Sequence, residues 1–214
     1  MSKKTYLKVL EETQLIAILR GIKPSEVLTI AHELVTCGFR IIEVPMNTPK
    51  ALKSIKKLSH HYRNHKEIII GAGTVCHTKE LSKLSKVGCQ LIISPHTDKK
   101  IIRKTKALGM VSCAGFTTAS EAYTAINAGA DLLKLFPFSR LGAAYYHDLT
   151  AILPKHIPII AVGGIEAHNI RNFLDAGIHY FGIGSALYHR GVTSTQLQRS
   201  ASGFIKEIKK CQLS

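Results

Sequence analysis

The sequence lacks a C-x-x-C pair, and its five cysteines are odd in number: Cys37, Cys76, Cys89, Cys113 and Cys211. This pattern excludes a paired disulfide framework and indicates reduced thiols in a cytoplasmic protein. No stretch reaches the roughly 18 consecutive apolar residues of a membrane span. The first 14 residues contain lysines and have no apolar signal core before a cleavage site. The sequence therefore predicts neither secretion nor membrane insertion.

Acidic residues are scarce, because 29 Lys and Arg stand against 14 Asp and Glu and leave a net charge of +15. Such a charge attracts nucleic acid, acidic membranes or phosphorylated metabolites, and alone it does not choose among them. Many lysines recur at helical spacing in amphipathic segments, with no RNP, helix-turn-helix or zinc-finger pattern nearby. We therefore expect solvated helix faces and no nucleic-acid partner. A non-enzymatic anion or RNA binder is the alternative.

The composition is that of a globular protein, with 45% hydrophobic residues and no low-complexity tract or linker. A chain of this length buries roughly 70% of its unfolded surface, so it needs neither disulfides nor a metal to stay folded. The eleven histidines show no zinc-ligand spacing. We expect a single domain over residues 1–214, with no metal and no cofactor.

A local pattern occurs five times, in which a helical segment ends at a glycine and an apolar run follows. These glycines are Gly38, Gly88, Gly109, Gly129 and Gly177. Each is typical of a residue just after a helix C-terminus. Their intervals fit a unit of roughly 20 to 25 residues. The unit is one helix plus one strand.

Eight apolar runs predict eight strands, preceded by a short N-terminal helix around Lys4–Glu12. Near-continuous apolar strands are typical of parallel sheets covered by helices, and eight of them favour a (β/α)8 TIM barrel. A doubly wound open sheet is the second interpretation. The predicted strands are Gln14–Leu19, Arg40–Val44, Glu67–Ile70, Gln90–Ser94, Val111–Ala114, Leu132–Phe136, Pro158–Val162 and Tyr180–Ile183.

Two charged residues interrupt these apolar strands, Lys134 within Leu132–Phe136 and Glu43 within Arg40–Val44. Burial of an ammonium is costly unless it is paired or deprotonated. One interpretation is structural: Lys134 extends to solvent or pairs with a carboxylate such as Asp131 or Glu43. The other is a Schiff-base lysine activated by desolvation and by the nearby cation of Arg20. Glu43 is correspondingly an ion-pair partner or a proton shuttle for imine chemistry.

Glycine-rich loops follow the last two strands, at Gly163-Gly164 and at Gly184-Ser185. Small residues let backbone N–H groups approach an anion, and a helix that starts directly afterwards would favour its charge. Phosphate sites after strands 7 and 8 recur in this fold. The alternative is that these glycines only form tight turns.

The motifs resemble those of the class I 2-keto-3-deoxy-6-phosphogluconate aldolases over nearly the whole chain. The matching segments, in family order, are Ile42-Glu43-Val44, Gly71-Ala72-Gly73-Thr74-Val75, Ile93-Ser94-Pro95, Leu133-Lys134-Leu135-Phe136-Pro137, Val162-Gly163-Gly164-Ile165 and Gly184-Ser185. Gluconate-type members usually carry Arg at the position of Asn47 and tend to have Thr at that of Val162. Both departures make the chain similar to the galactonate branch.

The resemblance implies reversible cleavage of 2-dehydro-3-deoxy-6-phospho-D-galactonate to pyruvate and D-glyceraldehyde 3-phosphate, in a homotrimer. It assigns imine formation to Lys134 and proton transfer to Glu43. The other implied substrate contacts are Arg20 and Thr74 at the carboxylate, Phe136 as a wall, Val162 near C4, and Gly163, Gly164, Gly184 and Ser185 at the phosphate. The alternatives are a gluconate-phosphate or 4-hydroxy-2-oxoglutarate aldolase. An isomerase or thiamine phosphate synthase would share the glycine loops without needing a buried strand lysine.

Overall fold

A computed structural model describes residues 3–212, and its centre is a closed barrel of eight parallel strands. Each strand pairs with its neighbours in chain order, and β1 pairs with β8 to close the barrel. The predicted (β/α)8 barrel with an N-terminal helix is confirmed. The strands are β1 Leu15–Ile18, β2 Ile41–Pro45, β3 Ile69–Gly73, β4 Leu91–Ile93, β5 Val111–Phe116, β6 Leu132–Leu135, β7 Ile159–Val162 and β8 Tyr180–Ile183.

Helices alternate with the strands on the outside of the barrel. No helix within residues 3–212 is both long and apolar enough to cross a membrane. The helices are α1 Lys3–Thr13, α2 Val27–Cys37, α3 Ala51–His61, α4 Thr78–Lys86, α5 Lys99–Ala107, α6 Ala119–Asn127, α7 Phe138–Ile152, α8 Ile170–Asp175 and α9 Ser194–Gln212.

The five glycines predicted to follow helix ends all have positive φ angles between 73° and 114°. At Gly38, for example, φ is 114° and the N–H donates to the Val35 carbonyl at 3.0 Å. Only glycine adopts this left-handed conformation without a Cβ penalty. The helix-then-strand unit read from the sequence is therefore the repeating unit of the barrel.

Only the predicted strand Tyr180–Ile183 has the ends seen in the structure, and five others differ by one residue at one or both ends. The two larger differences, at β3 and β5, arise because glycines near their ends belong to the sheet. β3 starts later than predicted and runs through Gly71 and Gly73, which pair with Glu43 and Pro45 of β2. β5 continues through Gly115, which pairs with Lys134 of β6. Glycine weakens a strand as a sequence signal. In both strands it allows close approach of neighbouring atoms.

The buried apolar side chains form one layer between strands and helices and a second inside the barrel. The inner layer continues into Tyr6 and Leu10 of α1, which are fully or almost fully buried. An ion pair between Lys3 and Asp131, just before β6, also ties α1 to the amino-terminal end of the strands. Because α1 closes that end, the carboxyl ends of the strands form the mouth of the barrel.

Candidate active site

Lys134 and Glu43 lie inside the barrel, in one small cavity whose other walls are mostly apolar. Side chains alternate along a strand, so Lys134 shares the inward face of β6 with Leu132, and Glu43 shares that of β2 with Ile41. Lys134 is 6% exposed and Glu43 is 2% exposed. The structure thus brings together the two charged strand residues singled out in the sequence.

Burial lowers the pKa of the Lys134 ammonium, and the charge of Arg20 lowers it further. The Glu43 carboxylate acts in the opposite direction but does not cancel the effect of burial. The amine lies 4.9 Å from the centroid of the Phe136 ring. Lys134 is therefore closer to its neutral, nucleophilic form than an exposed lysine is.

Asp131, the other carboxylate suggested as a partner for Lys134, is engaged elsewhere. Its oxygens accept hydrogen bonds from Lys106 Nζ at 2.6 Å and from the Ser112 N–H at 3.0 Å. Asp131 also pairs with Lys3. Within residues 3–212, Lys134 forms no ion pair within 4 Å with Asp131 or with Glu43, so the ion-pair interpretation is wrong and Glu43 acts on Lys134 only through its charge.

Burial raises the pKa of the Glu43 carboxyl to about 7, although the positive charges of Lys134 and Arg20 favour its ionised form. Its Oε2 atom is buried and has no hydrogen-bond partner among residues 3–212. A Cβ atom at Gly73 would overlap this carboxylate, so the absence of a side chain there makes room for it. A carboxyl group that titrates near neutral pH can both accept and return a proton.

Arg20 lies at the rim of the mouth, where its guanidinium Nη1 donates to Asn47 Oδ1 at 2.7 Å. Nη2 lies 3.5 Å from Thr74 Oγ1, at the outer limit of a hydrogen bond. Thr74 has a φ of 53°, which is unusual for a residue with a branched Cβ. The three residues follow β1, β2 and β3 and form one polar edge at the mouth.

From the sequence, Asn47 is only a departure from Arg, and nothing marks Cys113 as a cavity residue. The structure shows Asn47 as the hydrogen-bond partner that orients Arg20. It also places the buried Cys113 in the cavity with Lys134 and Glu43. Because side chains alternate between the two faces of a strand, the position of Cys113 in β5 could have been assigned to the inside of the barrel. A thiol is uncharged, however, so it does not stand out in an apolar strand.

The glycine loops after β7 and β8 lie side by side at the mouth, because those strands are paired. Gly163 and Gly164 have φ angles of 105° and 72°. A Cβ at Gly163 would lie 3.5 Å from the Phe136 ring, so this loop packs beside the predicted pocket wall. At Gly184, a Cβ would meet nothing within 4 Å. The neighbouring Ser185 is exposed.

The expectation that a helix starts directly after each glycine loop is wrong. α8 begins only at Ile170 and α9 only at Ser194. After β8 there is a single turn instead, in which the Tyr188 N–H donates to the Gly184 carbonyl at 2.9 Å. A helix dipole therefore adds little here, and only backbone N–H groups of these loops are left for the predicted phosphate contact.

Two of the remaining predicted contacts differ in exposure. Phe136 follows β6 and is 42% exposed beside the mouth. Val162 ends β7, is 8% exposed and lines the same cavity as Lys134 and Glu43. Among residues 3–212, no group of three His, Cys, Asp or Glu side chains could hold a metal ion.

A family model described as KDPG and KHG aldolase matches residues 7–201. The chain belongs to this aldolase family. A 2-dehydro-3-deoxy-6-phosphogalactonate aldolase of Escherichia coli (strain K12) is 40% identical over 195 residues, which are 91% of this chain and 94% of the relative. A probable 2-dehydro-3-deoxy-6-phosphogalactonate aldolase of Rhizobium meliloti (strain 1021) is 38% identical over 190 residues, 89% of each chain.

A solved structure described as native KDPGal superposes on this aldolase with a TM-score of 0.89. It is 38% identical, and the match covers 94% of this chain and 96% of that one. The resemblance to the aldolase family drawn from the sequence motifs is therefore confirmed. These two relatives and this solved structure carry names of the galactonate branch.

Proposed function

We propose that this aldolase reversibly cleaves 2-dehydro-3-deoxy-6-phospho-D-galactonate to pyruvate and D-glyceraldehyde 3-phosphate through an imine on Lys134. The observation that carries the proposal is the burial of Lys134 and Glu43 in one cavity at the barrel mouth. Desolvation activates the amine, and the carboxyl group titrates near neutral pH. The names of the relatives support the choice of substrate.

Imine formation is the first half of the proposed reaction. The neutral amine of Lys134 attacks the C2 carbonyl carbon of the keto acid, and a proton passes from nitrogen to oxygen to give a carbinolamine. Glu43 in its acid form donates a proton to the C2 hydroxyl, which leaves as water. The product is a protonated imine between C2 and Nζ, with Glu43 as a carboxylate.

Carbon–carbon cleavage follows, with Glu43 now as the base. The carboxylate removes the proton from the C4 hydroxyl, directly or through a water molecule, as the C3–C4 bond breaks. The bonding electrons move into the protonated imine and give an enamine, while C4 becomes the aldehyde of glyceraldehyde 3-phosphate. Glu43 then protonates C3 of the enamine, and hydrolysis of the imine releases pyruvate and restores the amine.

The remaining residues bind the substrate in this proposal. Arg20, oriented by Asn47, and Thr74 hold the carboxylate next to C2. Phe136 forms a wall beside Lys134, and Val162 packs near C4. Backbone N–H groups of Gly163, Gly164, Gly184 and Ser185 bind the phosphate.

The assembly and setting of the enzyme are further proposals. We propose a cytoplasmic homotrimer in which residues 1–214 form one domain, acting without a metal or cofactor and without a nucleic-acid partner. Size-exclusion chromatography with light scattering measures the mass of the assembly.

Cleavage of gluconate phosphate or of 4-hydroxy-2-oxoglutarate is the alternative activity. Comparison of kcat/KM for the three substrates decides between them.

Borohydride trapping with pyruvate tests the imine directly. The wild type should gain a reduced pyruvyl adduct, located on Lys134 by peptide mass mapping. Lys134→Met should gain none and should lose turnover, since an apolar side chain of similar size suits a buried strand. Lys99→Met, at an exposed lysine of α5, is the matched control and should label normally. Labelling of another lysine, or none, contradicts the mechanism.

A further inference from the structure

An open pocket lies beside the barrel mouth, outside the cavity that holds Lys134. It is lined by residues 21–25 after β1, by Pro49, Lys50 and Lys53 at the start of α3, and by Arg190 after β8. We call this feature the basic pocket. Its walls contain four cations, Lys23, Lys50, Lys53 and Arg190, and no carboxylate.

None of these four cationic side chains forms an ion pair or a side-chain hydrogen bond with any residue in 3–212. Other cations nearby are used structurally: Lys57 Nζ donates to the Pro24 carbonyl at 2.7 Å and fixes α3 against the loop. Glu26 follows the same loop, and its Oε1 accepts from the Lys23 N–H at 3.0 Å and from Tyr188 OH at 2.8 Å. Against the opposing effect of burial, these hydrogen bonds and the charges of Lys23 and Arg190 lower the pKa of its carboxyl. One nearby carboxylate therefore faces four cations, and the pocket keeps an excess of positive charge.

The positions of the cationic side chains indicate what size of anion the basic pocket can bind. All four cationic side chains are exposed and surround an open space, while Ile22 at its base is fully buried. The first turn of α3 contains no acidic residue and has no side-chain cap. A single phosphate group contacts only part of such a surface, whereas linked phosphates can place several charges against it. We propose that the basic pocket binds a small oligophosphate, an anion with two or three linked phosphate groups.

The pocket shares two chain segments with the carboxylate end of the proposed active site. Gly21 follows Arg20, and its N–H donates to Thr48 Oγ1 at 3.0 Å, while Thr48 follows Asn47. The Arg190 side chain packs over Gly21, since a Cβ there would lie 3.6 Å from Arg190 Cγ. An oligophosphate next to Arg20 repels a second anion. Its occupancy should therefore raise the KM for the anionic keto acid and leave kcat unchanged, a consequence that rests on the proposed function.

Titration calorimetry with inorganic tripolyphosphate tests the binding without relying on aldolase activity. The wild type should bind one tripolyphosphate per chain, and Lys134→Met should bind it equally well. The double variant Lys23→Gln/Lys53→Gln should bind at least about tenfold more weakly, which corresponds to about 1.4 kcal/mol. The matched control Lys99→Gln/Lys100→Gln removes the same charge from α5, across the barrel, and should weaken binding less than about threefold.

Three results would overturn the proposal. The first is no binding by the wild type in a folded preparation, checked by circular dichroism. The second is equal weakening in both double variants, which would assign the attraction to the overall charge of +15. The third is displacement of tripolyphosphate by glycerol 3-phosphate, which would place the anion on the glycine loops after β7 and β8. If no pyruvate adduct forms on Lys134, the proposed function fails but the tripolyphosphate binding result still stands. Only the expected effect on KM would then be lost.

Discussion

Replacement of Glu43 by Gln should stabilise the fold at neutral pH while it removes catalysis. The folded carboxyl has a pKa of about 7, against an ordinary value of 4.5. Between these two pH values the folded protein keeps a proton that the unfolded chain has released. Wild-type stability should therefore fall as pH rises from about 4.5 to 7 and should change little from this source above 7.

The size of this effect follows from the difference between the two pKa values. It corresponds to about 3 kcal/mol of unfolding free energy lost by the wild type across that pH range. The glutamine side chain of the Glu43→Gln variant carries no charge at any pH, so the variant avoids this loss. The stability difference between variant and wild type should thus grow by about 3 kcal/mol between pH 4.5 and pH 8.

Urea unfolding, followed by circular dichroism at several pH values from about 4.5 to 8.5, measures this difference. Glu11→Gln, at an exposed carboxylate of α1, is the control and should show no comparable growth with pH. The Lys134 charge favours the Glu43 carboxylate, so the same comparison in a Lys134→Met background should give a larger effect. Parallel stability curves for wild type and Glu43→Gln would refute the argument that burial sets this pKa.

The same variant tests catalysis. Loss of a general acid–base group should lower kcat by roughly 10²–10⁴-fold. A loss of only a few-fold would mean that another group moves the proton.

Two further substitutions test the geometry around Glu43 and Val162. Gly73→Ala should lower kcat in a folded protein, because the new Cβ would displace the Glu43 carboxylate. Gly203→Ala in α9, where the nearest contact would be an ordinary 3.5 Å, is the control that should keep full activity. Val162→Thr should move the kcat/KM ratio of gluconate to galactonate phosphate towards gluconate, by roughly 1–3 kcal/mol, because a hydroxyl can pair with one C4 configuration only. An unchanged ratio, measured with both substrates, would remove Val162 from the selectivity argument.

The barrel could be predicted from the sequence because each helix-and-strand unit carries its own local signals. The segment Thr118-Ala119-Ser120-Glu121, for example, has the sequence of a capping box, and Glu121 Oε2 accepts from the Thr118 N–H at 2.9 Å. Strand ends were less predictable. Gly71 and Gly115 have ordinary local features of a loop, and their partners on neighbouring strands hold them in the sheet. Gly71 pairs with β2 and β4, and Gly115 pairs with β6.

Some features of the candidate site could likewise be predicted from the sequence, and others could not. Lys134 and Glu43 could be found because a charge inside an apolar strand is costly and therefore conspicuous. The hydrogen bond from Arg20 to Asn47 could not be found, because it joins residues 27 positions apart and depends on how two loops meet. The late start of α9 could not be predicted either. The residues after Gly184 form one turn, and the helix begins only at Ser194.

The contrast between Asp131 and Glu43 explains how one lysine of a strongly basic chain can become reactive. Asp131 and Lys134 are three residues apart along the chain, so roughly 10 Å of extended strand separates them. Asp131 lies at the closed end of the barrel, where Lys106 and Lys3 compensate its charge. Lys134 faces the open end. Within residues 3–212, the only carboxylate that lines its cavity is Glu43, and burial raises the pKa of that carboxyl to about 7. Because Asp131 is paired with other lysines at one end and only Glu43 faces Lys134 at the other, the Lys134 ammonium is not fixed in its charged form.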